Sequence, residues 1–225
     1  MENLGALEQR LGYKFQETIY IQRALTHSSA HHDSTGLDYE RLEFLGDRVV
    51  NLVVADLLFR AFREEKEGAL AKRHTALVRT ETLAEIAVFL NLGDFVILSD
   101  SERRAGGAEN DNILADIMEA VTAAIYLDGG FTAAEKFIET ALGNKLHDMS
   151  EPPRDAKTTL QEWSQAEDLG LPLYEVIAQD GPDHAPEFTV RVTVMNFPPQ
   201  QAVSTSKKRA EKDAAQLMLD KVIQK

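Results

Sequence analysis

Cysteine is absent from the 225-residue sequence. The chain can therefore form neither a disulfide nor a thiolate metal site, which is compatible with a reducing cytoplasm, and we expect a cytoplasmic location. Long apolar runs are absent as well, since even the stretch Leu52 to Phe59 is interrupted by Asp56. We therefore expect no membrane span, and no secretory signal, because residues 1–8 lack a basic and an apolar region.

Basic residues are scarce relative to acidic ones: 24 Lys and Arg stand against 37 Asp and Glu, a net charge of −13. This excess, taken alone, argues against a nucleic acid partner. The charge is unevenly distributed, because residues 1–150 carry 15 basic and 25 acidic side chains (net −10), whereas residues 151–225 carry 9 and 12 (net −3). The distribution matters more than the total, since the second segment contains a local basic cluster of Lys207, Lys208, Arg209 and Lys212.

The stretch from Asp38 to Asn51 predicts a helix with one acidic face. At about 100° per residue, Glu40, Glu43 and Asp47 fall within about 60° of one another. Clustered carboxylates raise each other's pKa unless a cation neutralises them, and hard divalent cations such as Mg²⁺ prefer oxygen ligands. A solvated acidic face is the alternative interpretation. The other side of this helix is expected to face a core through Leu42, Leu45, Val49 and Leu52.

Phe44 is placed unusually on this helix. The same count puts it about 40° from Glu40, beside the carboxylates rather than with the leucines. A large aromatic side chain in that position needs cover, either from a neighbouring loop or from another subunit.

A second group of acidic residues favours a metal-binding role for the first group. Residues 113–127 predict a helix on which Asp116 and Glu119, three positions apart, share a face. Asp128 to Gly130 should end this helix, and residues 132–147 predict another. Neither acidic segment contains histidine, so we do not expect histidine as the main base. Structural or solvent roles are expected for His27, His31 and His32, which lack the regular spacing of a metal site.

Helical patterns account for the rest of the first 147 residues. The segment from Ser99 to Asn112 is polar and glycine-containing, so we expect an exposed, mobile loop there. We therefore predict an all-helical domain over residues 1–147. Its other helices are predicted over residues 3–11, 16–26, 38–62 and 70–90.

The pattern changes after Pro152 and Pro153, which suit an extended linker over residues 148–154. Residues 155–225 predict a small α+β domain with the order α-β-β-β-α. A turn from Gly181 to His184 joins the first two strands. The predicted elements are Lys157 to Ala166, the strands Leu173 to Gln179, Glu187 to Met195 and Gln201 to Thr205, and the helix Lys207 to Ile223.

Four segments of the chain resemble motifs of one known family. The stretch from Glu40 to Asp47, ERLEFLGD, resembles the signature of bacterial ribonuclease III, and Ile113 to Ala120, ILADIMEA, resembles its second acidic motif. Asp155 to Glu162 and Ser206 to Glu211 resemble the opening and closing helices of a double-stranded RNA-binding domain. These motifs occur in the family's order over nearly the whole chain.

The resemblance implies a homodimeric, Mg²⁺-dependent endonuclease of double-stranded RNA, with Mn²⁺ as a substitute metal. It implies a two-metal mechanism, products with 5′-phosphate and 3′-hydroxyl ends, and the processing of ribosomal and messenger RNA precursors. It assigns metal binding to Glu43, Asp116 and Glu119, and it places Asp47 and Glu119 at the catalytic centre. Supporting acidic roles fall to Glu40 and Glu67, and Phe44 matches an aromatic residue of the subunit interface.

The resemblance also implies how RNA is bound, and it shows where this sequence departs from the family. Arg48 stands where many members have Ser, and Ala71 and His74 replace the usual Ser and Arg. The stretch 202–205 lacks the usual glycine before the lysine pair. The alternative function is a catalytically silent double-stranded RNA-binding protein, although such a protein would have no chemical need for the carboxylates. The implied RNA contacts are Thr158, Gln161, Glu162, His184, Lys207, Lys208 and Lys212.

Overall fold

The structure is a computed structural model that describes residues 4–30, 39–146, 148–149, 152, 155–181 and 186–223. The chain divides into two units, residues 1–153 and 154–225. The described part of the first unit is helical, and the second unit combines helices with a three-stranded sheet, which confirms the predicted fold class. Most of the predicted linker and of the turn ending at His184 lies outside the described residues.

The described part of the first unit contains seven α-helices joined by short loops and 3₁₀ turns. Among them, none combines the length and the apolar content that a membrane crossing requires. The last helix bends at Gly130 (φ 74°, ψ −175°), so the predicted helix end at Asp128 to Gly130 corresponds to a kink. The helices are α1 (Leu4–Leu11), α2 (Thr18–Ala24), α3 (Tyr39–Ala61), α4 (Glu67–Val78), α5 (Thr80–Phe89), α6 (Asp100–Arg104) and α7 (Asp111–Leu142).

Residues 70–90 lie in two helices rather than in the single predicted helix. Arg79 separates α4 from α5 with extended backbone angles (φ −69°, ψ 154°). Its carbonyl accepts hydrogen bonds from the amides of Thr82 and Leu83, which begin the new helix. The Thr82 hydroxyl also donates to the carbonyl of Ala76 across the break (2.7 Å). No proline or glycine stands at this position, so apolar periodicity alone missed the break.

The segment 99–112 contains helix, so the prediction of a loop throughout was wrong. The Ser99 hydroxyl caps α6 by accepting a hydrogen bond from the amide of Glu102. The Asn110 side chain caps α7, which therefore begins two residues before the predicted start. Both residues are of the types that cap helices best, and the two glycines lie in the connection between the helices, where Gly106 has a positive φ (83°).

The buried face of α3 is rotated relative to the predicted one. Leu42 and Val49 are buried and Leu45 is partly buried, but Leu52 is 59% exposed. The buried stripe of this helix is centred near Gly46 and runs through Val50, Val53 and Leu57. Leu52 lies about 130° from the centre of that stripe and therefore faces away from the core.

A buried arginine joins three segments of the first unit. Arg73 on α4 is 1% exposed, and it donates from Nε and Nη2 to both carboxylate oxygens of Glu65 (2.9 and 2.6 Å). Its Nη1 donates to the carbonyl of Met149, and its guanidinium lies 3.9 Å from the centroid of the Phe62 ring. The hydrogen bonds from Arg73 hold the pKa of Glu65 below its usual value. A buried charge is tolerated here because every side of the guanidinium has a partner.

Helices α3 and α7 form the centre of the unit, and their backbones approach each other closely at Gly46. A Cβ at this position would lie 1.9 Å from the carbonyl oxygen of Glu119 and 2.4 Å from its carbonyl carbon. Both are backbone atoms, which cannot rotate away as a flexible side chain can. Only glycine therefore permits this helix separation. Buried alanines on α7, among them Ala115 and Ala120, likewise keep that helix narrow.

The second unit places two helices on one face of an antiparallel sheet. The sheet has the strand order β1-β2-β3, and β1 carries an irregularity between Val176 and Ala178. Val190, Val192 and Val194 are buried, as the alternating pattern predicted. The elements are α8 (Ala156–Ala166), β1 (Leu173–Asp180), β2 (Glu187–Thr193), β3 (Gln200–Ser204) and α9 (Lys207–Ile223).

We expect Gly46→Ala to lower the free energy of unfolding by about 1–3 kcal/mol, because the added methyl group must separate two backbones. Chemical denaturation would measure the change. Gly5→Ala is the matched control, since Gly5 is also helical and a Cβ there would meet no atom within 4 Å. Unchanged stability of Gly46→Ala would contradict the close approach of α3 and α7.

Candidate active site

Helices α3 and α7 bring the three predicted metal-binding carboxylates together. Glu43 lies on α3, and Asp116 and Glu119 lie about one turn apart on α7. One carboxylate oxygen from each residue lies within 4.8 Å of the other two. The sequence grouped these residues only within each helix, and the close contact at Gly46 joins the two groups.

Burial of this cluster disfavours the charged forms of its members. Burial raises the pKa of Glu119 to about 8, and repulsion from Asp47, Asp116 and Glu43 adds to the effect. Burial also raises the pKa of Glu43, again with repulsion from neighbouring carboxylates, and it raises the pKa of Asp116. The three carboxylates therefore hold negative charge at a cost that a bound cation would relieve.

Asp47 lies beside the cluster but outside the group of three. Its Oδ1 accepts a hydrogen bond from Nδ2 of Asn51 (2.7 Å), and its Oδ2 lies 2.9 Å from Nη1 of Arg48. Its charge nevertheless contributes to the raised pKa of both Glu119 and Glu43. Asp47 is thus close enough to influence the cluster while residues of its own helix bind both of its oxygens.

The two supporting acidic residues are more exposed. Glu40 lies in the first turn of α3, and its charge contributes to the raised pKa of Glu43. Glu67 is the first residue of α4 and is exposed. Within the described part of the chain, neither residue belongs to the group of carboxylates that converge within 4.8 Å.

A buried tyrosine and a histidine pack behind the cluster. Tyr39 is 2% exposed, and its hydroxyl donates to the carbonyl of Ile113 (3.4 Å), which links the first turns of α3 and α7. Burial, followed by repulsion from the carboxylates, raises the pKa of Tyr39 above its usual value. The His27 ring packs edge-on against Tyr39 at 5.2 Å and hydrogen-bonds Ser29, so His27 has structural contacts of the kind predicted. His31 and His32 lie outside the described residues.

Phe44 is 61% exposed on the outer side of α3. The Arg48 guanidinium lies 3.8 Å from the centroid of its ring, and Nη1 of Arg48 donates to the Phe44 carbonyl (3.0 Å). The sequence predicted that this aromatic would need cover, and one exposed arginine provides only part of it.

Comparison with protein families identifies both units. Residues 17–146 match the family model described as ribonuclease-III-like, and residues 156–222 match the double-stranded RNA binding motif. The first match alone covers more than half of the chain. The chain belongs to the ribonuclease III family.

Individual relatives support the same membership of the ribonuclease III family. Ribonuclease 3 of Ehrlichia ruminantium (strain Gardel) is 48% identical over 219 residues, which cover 97% of this chain and 96% of the relative. Ribonuclease 3 of Wolbachia pipientis subsp. Culex pipiens (strain wPip) is 46% identical over 215 residues, or 94% of each chain. The nuclease domain of ribonuclease III from Campylobacter jejuni is a similar solved structure, with a TM-score of 0.58 and 42% identity over 63% of this chain and 96% of that one.

As a ribonuclease III family member, the chain is an endoribonuclease of double-stranded RNA. The family uses divalent metal ions, and the converging oxygens of Glu43, Asp116 and Glu119 are the kind of ligand that such ions prefer. The C-terminal unit of the chain supplies double-stranded RNA binding.

The ribonuclease III resemblance also implied RNA contacts, and the structure places most of them on two exposed helical faces. Thr158, Gln161 and Glu162 are exposed on one side of α8. Lys207, Lys208 and Lys212 are exposed in the first two turns of α9. Lys157 of α8 and Glu211 of α9 form an ion pair (2.6 Å) that joins the beginnings of the two helices. His184 lies outside the described residues.

Sequence reasoning missed three residues around the ribonuclease III carboxylates. Asn51 follows Asp47 at i+4, a spacing that could have indicated the contact between them. Arg48 was recognised only as a departure from the family, although its position beside Asp47 gave the same indication. Tyr39 carried no such signal, because its contact with Ile113 depends on the packing of two distant segments.

In the metal-free protein, Glu119→Gln should remove a pH dependence of stability. Between its usual pKa of 4.5 and the folded-state pKa of about 8, folded wild type retains a proton on Glu119 that the unfolded chain has lost. The free energy of unfolding therefore falls as pH rises through this window. The advantage of Glu119→Gln over wild type should grow from about pH 5 to about pH 8.5.

Denaturation in the presence of a chelator would measure this difference. Glu64→Gln, the same change at an exposed glutamate outside the cluster, is the control. Parallel stability profiles of wild type and Glu119→Gln would show that Glu119 ionises normally in the folded protein.

Proposed function

We propose that the chain hydrolyses phosphodiester bonds in double-stranded RNA by a two-metal mechanism and leaves 5′-phosphate and 3′-hydroxyl ends. Precursors of ribosomal and messenger RNA are the proposed substrates. The observation that carries this proposal is the convergence of Glu43, Asp116 and Glu119, with Asp47 beside them. The family shows the reaction class, and the carboxylates supply the chemistry for the mechanism.

The donor set fits a hard divalent cation. All three converging ligands are carboxylate oxygens, and the chain has no cysteine that could favour a softer metal. Mg²⁺ commonly combines one or two carboxylates with water and substrate phosphate, and Mn²⁺ accepts the same ligands. We therefore propose Mg²⁺ as the cofactor and Mn²⁺ as its substitute.

Glu43, Asp116 and Glu119 would hold the metal from two facing helices. When bound, divalent ions activate water and stabilise charge on the attacking and leaving oxygens of an in-line displacement. Glu119 must give up the proton that its raised pKa retains before it can act as a ligand. Asp47, at the edge of the cluster, would orient the attacking water. Glu40 and Glu67 would have supporting roles at its exposed rim.

The C-terminal unit would position the RNA. An A-form duplex has a wide, shallow minor groove lined by 2′-hydroxyls, which the exposed face of α8 could contact through Gln161. Lys207 and Lys208 occupy the first turn of α9, where cations are unfavourable unless an anion is near. Phosphate is that anion in our proposal, with the predicted contacts of Lys212, Thr158, Glu162 and His184 completing the surface.

We also propose that the chain forms a homodimer through α3. Phe44, Leu52 and Phe59 are exposed along one side of this helix, and Phe59 is 71% exposed. A stripe of large apolar side chains on an otherwise polar helix face indicates a protein interface. The related Campylobacter jejuni nuclease domain is described as having a region involved in dimer formation.

The alternative of a catalytically silent RNA-binding protein is disfavoured by the raised pKa values of the cluster. Three half-buried carboxylates that repel one another destabilise the fold unless a cation is bound. A protein that only bound RNA would gain nothing from them. The cytoplasmic location stays a prediction from the absence of cysteine.

Glu119→Ala should abolish cleavage of a long RNA duplex in Mg²⁺ while leaving RNA affinity nearly unchanged. Glu119 is assigned to the metal, whereas the RNA affinity is assigned mainly to the second unit. Cleavage and gel-shift assays on the same samples would measure both, with Glu64→Ala as the exposed control. Cleavage by Glu119→Ala near the wild-type rate would refute the assignment, and a wild type that binds without cutting would support the silent alternative.

Phe44→Asp should convert the proposed dimer into a monomer, because it places a charge within the apolar stripe. Sedimentation of the full chain at micromolar concentration would measure the change. Phe89→Asp is the matched control, since Phe89 is also highly exposed but lies on α5. A dimeric Phe44→Asp protein, or a monomeric wild type, would contradict this interface.

Replacing both Lys207 and Lys208 by Ala should reduce the slope of log affinity against log salt by roughly one to two. Lysine contacts to phosphate release counterions, and that release causes the salt dependence. The loss should be equal for different RNA sequences, because phosphate contacts carry no base information. Lys221→Ala, at the far end of α9, should leave the slope unchanged. An unaltered slope in the double variant would mean that these lysines are simply solvated.

A further inference from the structure

Asn51 makes two hydrogen bonds to a single residue of the candidate site. Its Nδ2 donates to Oδ1 of Asp47 (2.7 Å) and to the main-chain carbonyl of Asp47 (2.7 Å). The two residues are one helical turn apart on α3, and both are half-buried. The carboxamide therefore holds the aspartate side chain against its own backbone.

The backbone of Asn51 is itself held from a second helix. Nε2 of His74, on α4, lies 3.0 Å from the main-chain carbonyl oxygen of Asn51. This contact involves no side-chain atom of Asn51, so it fixes the helix position from which the carboxamide reaches Asp47. Asn51 is thereby anchored on one side and bonded to Asp47 on the other.

The other oxygen of Asp47 has a different kind of partner. Arg48 pairs with Oδ2 at 2.9 Å, but the Arg48 side chain is 57% exposed and also packs on the Phe44 ring. An exposed ion pair is weak and exchanges readily with solvent or another charge. Oδ1 is therefore held by a half-buried amide, whereas Oδ2 is paired with an arginine whose side chain is largely exposed to solvent.

We propose that Asn51 is a positioning residue for Asp47. The Asn51 amide holds Oδ1 of Asp47 toward the helix and leaves Oδ2 as the oxygen available to the reaction. A carboxylate on a short side chain has a broad, roughly two-fold torsion, so a fixed donor on one oxygen selects its orientation. Catalytic groups must be held within a fraction of an ångström by neighbouring hydrogen bonds. This inference rests on the proposed function, in which Asp47 orients the attacking water.

The test compares Asn51→Leu with wild type in cleavage of a long RNA duplex with Mg²⁺ under saturating and limiting RNA. The variant keeps the size of the side chain and the main-chain carbonyl that His74 contacts, but it removes the Nδ2 amide that donates both hydrogen bonds. We expect kcat to fall about ten- to a hundredfold, with KM for RNA unchanged, because misplacement of a reacting group costs rate rather than binding. Gln216→Leu is the matched control, since Gln216 makes a similar amide-to-carboxylate bond to Asp220 (2.8 Å) on α9.

A double-mutant comparison shows whether Asn51 acts through Asp47. In an Asp47→Ala background, adding Asn51→Leu should cause no further loss of single-turnover rate, because the group that it positions is already missing. Multiplying losses would overturn the proposal, as would an Asn51→Leu enzyme with wild-type kcat. A failure of wild type to cleave RNA would instead refute the proposed function, so the two failures are distinguishable.

A measurement independent of activity completes the test. In the metal-free protein, the Asn51 side-chain amide should give nitrogen-15 NMR signals protected from exchange with water, and Asp47→Ala should remove that protection. An amide that exchanges like a fully solvated one would overturn the proposal. If Asn51→Leu lowers the thermal midpoint markedly, Asn51→Ala and the NMR comparison decide the question.

Discussion

The contact between two backbones at Gly46 sets the geometry on which the rest of the site depends. The carbonyl of Glu119 occupies the volume where any other residue at position 46 would carry its Cβ. Because Glu43 stands just under one turn before Gly46, the same contact brings its carboxylate to those of Asp116 and Glu119. Helix separation and carboxylate spacing are thus a single constraint. The resulting burial is also the main cause of the raised pKa values.

The parts of the site that lie within one helix could be predicted from the sequence. Helical spacing placed Asp116 with Glu119, and Glu40 with Glu43 and Asp47, on common faces. Residue spacing could not show that these two faces meet, because that depends on how two helices that are distant in the sequence pack. The family resemblance supplied this connection, and the structure gives its physical basis at Gly46.

Structural predictions failed where the decisive contacts do not follow the helical spacing of apolar residues. Leu52 was assigned to the core because it continued a run of apolar positions, but the buried stripe of α3 follows a different line. The break at Arg79 is marked by no helix-breaking residue, and the Thr82 hydrogen bond that supports it comes from the folded arrangement. Arg73 would be placed on the surface by its residue type, yet its partners come from positions 62, 65 and 149 and allow its burial.

At the proposed metal site, the raised pKa of Glu119 would couple cation binding to the release of a proton. Below a pH of about 8, a cation that takes this carboxylate as a ligand must displace a proton into solution. The apparent affinity for the cation should therefore climb with pH and level off once the carboxylate is already ionised. Buffer composition would then enter the measured heat of cation binding, because the buffer takes up the released proton. Calorimetry in two buffers of different ionisation enthalpy would count the protons that the cluster exchanges.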